Sequence, residues 1–578
     1  MNIKTVAYSY EKLLFIKGLN EMNAQTNLKN RNTASAIMLV LFAFFGLSFG
    51  NNLVAKPKPE APKEIKLNED EMKKASDIYF QTCAGCHGTS RKGATGPALL
   101  PEARTKLLGT AGLKAFITNG TPNGMPDWGK QGVLKEDEID LLARFLQVAP
   151  PPIPEFSLDE MKAYWKVIIN PEDRPTKPQH NRNWKNYMGV ILRDAGQVAI
   201  IDGDTKELIS IVETGYAVHI LRTSATGRYF YSIGRDGKVT LIDNFMKKPN
   251  IVAEGKASFD ARSIEVSKYK GDKGDYMDKY IIVGGYTPAH FVIMDAMTLE
   301  PLQIVATSGY YCDTQEYTKE ARVAAIVASH HDPLWVVNVK ETGQVWLVDY
   351  SNIDALNISM INTARYLHDG GWDESGKYFI VAANASNKLV VIDVPNKKLE
   401  KIIDVGVKPH PGRGTNINNP KYGKLWITGH LGENRISFIK TDAGKGQWSE
   451  VATVELPGVG GGNLFVKSHP KSSHVWCDRP LSNSVELQRS LFVIDTKTLK
   501  VIKTLKVPTE FEGRAVHMEY NMAGDEVWVS VWGAKDSGKS ALLIYDDKTL
   551  KLKKAITGDW VNTPTGHFNV YNTVHDIY

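Results

Sequence analysis

Four cysteines occur in the 578 residues, and two of them, Cys83 and Cys86, stand with His87 in the run CAGCH. This is C-x-x-C-H, the spacing that attaches a c-type haem. The two thiols add to the vinyl groups of one porphyrin, and His87 reaches the iron from one face. A redox dithiol would need a βαβ frame and a zinc site a second C-x-x-C, and the sequence offers neither. The other face of the iron needs a ligand. Met125, in the Gly/Pro-rich run NGTPNGMPDWG, is the candidate, and His/Met ligation suits electron transfer. Cys312 and Cys477 read as buried thiols.

The elements around CAGCH predict a small helical unit. Residues 68–82, NEDEMKKASDIYFQT, have a capping Asn68, acids in the first turn and apolar residues after it. Residues 135–147 place Ile139, Leu142, Ala143 and Leu146 on one helical face. C-x-x-C-H, then Gly96-Pro97, then GMP, then a terminal amphipathic helix resembles a class I cytochrome c. The Pro-rich run PPPIPEF, from position 150, ends the unit. The boundaries expected are 1–55 for an N-terminal region, 56–67 for a tether, 68–150 for the cytochrome domain, 151–174 for a Pro-rich linker and 175–578 for the remainder.

That remainder changes to strands and repeats. VAIIDGDTKELISIVETG, FVIMDAMTLEPLQIVATSG, LFVIDTKTLKVIKTLKVP and LLIYDDKTLKLKKAITG are four of eight such stretches. Each is an apolar strand closing on Asp or a polar residue, a turn, and a second strand. A period on the order of 40–55 residues is that of propeller blades. Eight blades in a ring bury each other's faces and leave a central channel. The fold expected is therefore a small all-α cytochrome c domain followed by an all-β eight-bladed propeller. Three histidines sit where strands end in special turns: His219 in TGYAVH, His330 in VASHHDP and His368 in YLHDGGWD. No zinc spacing and no HExxH occurs, so their chemistry would come from converging on the channel.

Bulk composition excludes other classes. Apolar residues make 42% and charged residues 23%, which is ordinary for a globular chain. A formal charge of +6, part of it in the basic N-terminal region and tether, is a solvated surface rather than a nucleic-acid footprint. Residues 33–50, TASAIMLVLFAFFGLSFG, follow Lys29 and Arg31. They read as a secretory signal or an uncleaved anchor, which sends the rest outside the cytoplasm, to the periplasm.

The motifs TGYAVH, RVAAIVASH, NVKETGQV, HDGGWD, PHPGRG, LFVKSHPKSSH and TPTGHFNVYNT, in unbroken order from about residue 70 to the last, resemble cytochrome cd1 nitrite reductase. The resemblance implies one covalent haem c and one non-covalent haem d1 in the channel. It implies His219 as the iron ligand of haem d1, with His330 and His368 as catalytic groups on the opposite side. It implies Arg174, Arg193, Arg222, Arg235, Arg262, Arg413 and Tyr286 as partners of the haem d1 carboxylates, because a buried polyanion is met by guanidinium forks. The function implied is dissimilatory reduction of nitrite to nitric oxide, with electrons passing through haem c from a small periplasmic c-type cytochrome or cupredoxin. A homodimer is implied too. A haem d1 biosynthesis dehydrogenase, or an electron relay without haem d1, are the alternatives. Two departures stand out. The family places a Tyr from the N-terminal arm or c domain near the substrate, yet the first Tyr after the apolar run is Tyr79, inside a helix. His517 in RAVHMEY stands where Gln is expected.

Overall fold

The computed structural model describes residues 65–578 apart from 89, 94–95, 122–124 and 151–154. The apolar run 33–50 and most of the tether lie outside the described residues. The helix Glu69–Thr82 starts as its sequence predicts. The Asn68 side chain accepts from the Glu71 amide at 2.8 Å, and Glu71 accepts from the Asn68 amide at 3.1 Å. Two otherwise orphaned donors are thereby satisfied. Helices Ala84–His87, Lys106–Asn119 and Glu136–Phe145 follow. The stripe Ile139, Leu142, Ala143 and Leu146 is buried against Ala75, Tyr79, Leu113 and Ile117. This core takes in the buried Cys83 and fixes where the haem-binding run begins.

Eight antiparallel sheets come next, seven of four strands and one of five. The eight hairpins read from the sequence are the third and fourth strands of these blades. Their recurring Asp has a local cause. Asp295 Oδ1 accepts from the amides of Met297 at 2.9 Å and Thr298 at 2.7 Å, and Asp495 and Asp546 do the same for Thr498 and Thr549, each at 2.7 Å. The carboxylate supplies the acceptor that shapes the turn, so it recurs in seven of the eight blades; the strand Arg435–Lys440 closes on Lys440 instead.

The first strands of successive blades pack side by side around a central cavity. Blade 1 is completed by residues from the far end of the sequence: Pro564–Asn569 pairs antiparallel with Met188–Leu192, Met188 opposite Asn569. The ring is thus closed by hydrogen bonds rather than by a covalent link. The linker is anchored as well. Phe156 and Met161 are buried between blade 2, residues 218–256, and blade 3, residues 260–306, and Lys166–Val167 adds a fifth strand to blade 2.

Between blades the packing centres on Trp335, Trp426, Trp476 and Trp528, each fully buried in the second strand of its blade. Trp335 Nε1 also donates to the Val266 carbonyl of the preceding blade at 3.2 Å. Large-to-small substitution at such a site leaves a cavity that a rigid ring cannot collapse. Trp335→Ala is expected to cost about 3–5 kcal/mol, read as a lowered denaturation midpoint.

Candidate active site

A cavity of about 1850 Å3, its mouth included, occupies the channel. Its lining is set by a backbone irregularity shared around the ring. Seven innermost strands break register at the level of the cavity. The breaks fall at Thr565, His219, Arg262, Ala324-Ala325, His368-Asp369, the run between His410 and Thr415, and His517. A β-bulge leaves a residue unpaired and re-aims its side chain, and these bulged positions supply the cavity wall. In blade 6 the turn needs glycine: Gly412 and Gly414 have φ of 64° and 69°, and Arg413 is held between them. His517 takes the same left-handed conformation, φ 54°, while its amide donates to Asp478 Oδ2 at 3.0 Å.

The lining is cationic. Arg193, Arg222, Arg235, Arg262, Arg413 and Lys467 face it, against the carboxylates Asp369 and Glu519. Some charge is met behind the wall. Asp260 grips Arg235 with both oxygens, at 2.7 and 2.8 Å, and Glu265 Oε2 accepts from Arg413 at 3.1 Å. Yet Arg222 Nε and Arg413 NH1 are buried without a hydrogen-bond partner. Burial and the neighbouring Arg413 push the Arg222 guanidinium down to about 10. Buried donors left open in a cationic wall fit a ligand that brings carboxylates.

Three groups on one side form a compact set. His368 Nδ1 is 3.1 Å from Asp369 Oδ1, and His410 Nε2 is 3.3 Å from Asp369 Oδ2. The two imidazoles lie 5.1 Å apart, and His410 Nδ1 is fixed on the Leu464 carbonyl at 2.9 Å. Burial pushes His368 down to about 3 despite the opposing pull of Asp369, and it lowers His410 as well. His219 stands elsewhere in the lining, held well below its ordinary value by burial and by Arg262 and Arg235. It is therefore a neutral imidazole, the form that binds a metal.

The helical domain closes the cavity from another side, and Cys86 is part of the lining. Arg322 fastens it. Glu341 holds the guanidinium, with Nε to Oε1 at 2.7 Å, and Arg322 donates onward to the Gly93 carbonyl. Lys92 pairs with Glu320 at 2.5 Å, and Arg193 donates to the Gln81 carbonyl at 3.1 Å. Within the motif His87 is buried and its Nδ1 lies 2.7 Å from the Pro97 carbonyl, which leaves Nε2 free for iron. Gly96 makes room for this ring, because a Cβ there would fall 2.8 Å from His87 Cε1. Burial pushes the Cys83 thiol up to about 11. Met125 packs partly buried against the helical core. These donors fit a covalent haem.

The cavity brings together His219, His368, Arg193, Arg222, Arg235, Arg262 and Arg413 from the sequence reading. Three expected residues fall outside the lining. His330 follows the strand Val323–Ala328, past the level of the cavity; its side chain is 43% exposed and bonds Asp576 Oδ2 at 2.7 Å. Arg174 donates to the Ile169 carbonyl at 3.0 and 2.9 Å and braces the linker. Tyr286 is buried behind the wall, within 5.8 Å of Arg235 and 5.1 Å of Arg322. The sequence reading missed His410 and Asp369. The signal was in PHPGRG, where two glycines around an Arg mark a bulge next to a histidine. Tyr79 is buried in the helical domain, its hydroxyl on the Gly88 carbonyl at 2.7 Å.

A helical c-type cytochrome domain capping a propeller with a cationic channel defines a class, the cytochrome–propeller proteins. Family models narrow it: residues 182–573 match the cytochrome D1 heme domain, and residues 70–146 match the cytochrome C oxidase, cbb3-type, subunit III. A nitrite reductase of Stutzerimonas stutzeri is 46% identical over 95% of this chain and all of its own length. A dihydro-heme d1 dehydrogenase of Pseudomonas aeruginosa is 28% identical over 86% of this chain and 93% of its own. A solved structure of dihydro-heme d1 dehydrogenase NirN in complex with DHE superposes with a TM-score of 0.65 at 27% identity, covering 87% of this chain and all of that one. The chain belongs to the cytochrome cd1 family.

Two outcomes are expected from this geometry. Gly96→Ala should displace the His87 ring and weaken its iron ligation, seen as a changed haem c spectrum and reduction potential. The second concerns pH in the protein free of haem d1. His368 has a folded value of about 3 against an ordinary 6.5. Below 6.5 the unfolded chain therefore takes up a proton that the folded chain refuses. Stability falls as pH falls through that window, by up to about 1.4 kcal/mol per pH unit for one such group. His368→Gln should flatten the decline in Tm between about pH 7 and about pH 5.

Proposed function

We propose that this chain reduces nitrite to nitric oxide in the compartment outside the cytoplasm, NO2⁻ + 2H⁺ + e⁻ giving NO + H2O. The observation that carries it is the His368–Asp369–His410 set facing a cavity that the haem-binding motif helps to wall. Cys83, Cys86 and His87, with Met125, would hold haem c. His219 would ligate the haem d1 iron, and Arg193, Arg222, Arg235, Arg262 and Arg413 would take its carboxylates. When bound, haem d1 supplies the metal to which nitrite coordinates and at which the electron is delivered.

The residues account for the protons. The cationic wall draws an anion inward. Both imidazoles are neutral while the cavity holds no anion, and an arriving negative charge raises their proton affinity. His368 and His410 then donate to the departing oxygen as general acids. Asp369 bridges them, fixes both rings and stabilises the imidazolium forms. Cys86, at the wall, would hold haem c beside the cavity. The electron would reach haem c from a small c-type cytochrome or cupredoxin, and the working unit would be a homodimer.

Anaerobic turnover with a reduced donor tests this reading, with nitric oxide as the product measured and haem d1 bands beside haem c bands in the spectrum. Oxidation of dihydro-haem d1 in place of nitrite reduction would overturn it. His368→Ala and His410→Ala should each lower nitrite turnover about 10²-fold or more while both pigments stay bound. His330→Ala should lower it far less.

A further inference from the structure

The opposite end of the channel is closed by a short piece of chain. After the ring-closing strand, Val570–Val574 is a helix packed by buried Val570 and Asn572. Residues 575–578 then cross beneath the cavity, and Ile577 and Tyr578 line it. Little apolar packing holds this strap. Polar contacts from four blades do. Asp576 accepts from Lys268 Nζ at 2.8 Å and bonds His330 Nε2 at 2.7 Å; Tyr578 Oη donates to Asp576 Oδ1 at 2.7 Å. Lys467 donates to the Ile577 carbonyl at 2.8 Å, and Thr415 donates to the Tyr578 carbonyl. The Tyr578 ring lies between two cations of the wall, Arg413 at 5.3 Å and Lys467 at 5.4 Å.

His330 has no access to the cavity, yet it reaches the one carboxylate on which the strap converges. We propose that His575–Tyr578 is the floor of the haem d1 site, that Tyr578 is its contact surface, and that His330 acts through Asp576 as the pin that keeps the floor shut. His330 is thus a positioning residue that governs how fast the non-covalent cofactor leaves. This rests on the haem d1 reading above. The physical reason is asymmetry between the two closures. The helical domain is joined through a linker buried between blades 2 and 3, whereas the strap is held by charge-assisted bonds. Removing one shifts the balance toward an open floor.

The test uses the full-length holoprotein. Haem d1 release is followed by its absorption while excess apomyoglobin scavenges it, with covalent haem c as the internal standard. Asp576→Asn and His330→Gln should release haem d1 about tenfold faster, and Tyr578→Phe should do so to a smaller extent. Hydrogen–deuterium exchange at residues 575–578 of protein stripped of haem d1 should also rise in His330→Gln, with the global Tm unchanged. His330 is exposed, so its variant tests the pin without endangering the fold. Parental release rates in both Asp576→Asn and His330→Gln would overturn the inference, as would unchanged exchange in His330→Gln. A parent protein that holds no haem d1 would instead sink the cofactor reading, and the exchange measurement would still decide the pin.

Discussion

A channel at the centre of a propeller is walled by strands whose side chains alternate between neighbouring blades and the opening. A regular strand would offer one residue in two at fixed heights, with no means of aiming a ring or a guanidinium. Here the innermost strands give up ladder bonds where the cavity lies, and the unpaired residues turn inward. His219, Arg262, His368 and His517 all sit at such breaks. The site exists because the sheets are interrupted there, and the buried second and third strands carry the lost stability. This division of labour lets a rigid scaffold tolerate irregular backbone at its most demanding point.

The second constraint is charge. Six cations against two carboxylates around one cavity form a wall that repels itself until something anionic enters. Asp260 and Glu265 relieve part of the repulsion from behind, gripping Arg235 and Arg413. What they leave open matches a ligand with several carboxylates. Burial, before the field, lowers the proton affinity of His219, His368 and His410, with Arg262 and Arg235 adding to it at His219 and Asp369 opposing it at His368 and His410. A negative guest raises that affinity, so binding and proton supply are linked without a moving part.

The sequence disclosed the architecture because its signals were local. The Asp that closes seven of the eight third strands shapes a turn through its own side chain, and with the strand pattern itself this let eight copies be counted. C-x-x-C-H is a covalent requirement written in five adjacent residues. The cavity was harder to read, since bulges are decided by how two strands pair, and pairing is not local. His330 shows the cost. It looked like the end of a strand at the channel, but the bulge at Ala324-Ala325 carries the chain past the cavity before that histidine is reached. His410 hid among residues that read as a glycine turn. The family resemblance named motifs that line the cavity, but it did not single out the lining histidine in every blade.

The strand that seals blade 1 pairs Met188 with Asn569, two positions separated by nearly the whole propeller. Until the chain has been made through that point, the ring stays open, and the cationic wall faces solvent along one gap. A pocket for a large pigment therefore comes into being only once the chain has been made through Asn569. Insertion of that pigment follows closure of the ring and is performed on a chain already committed to its fold.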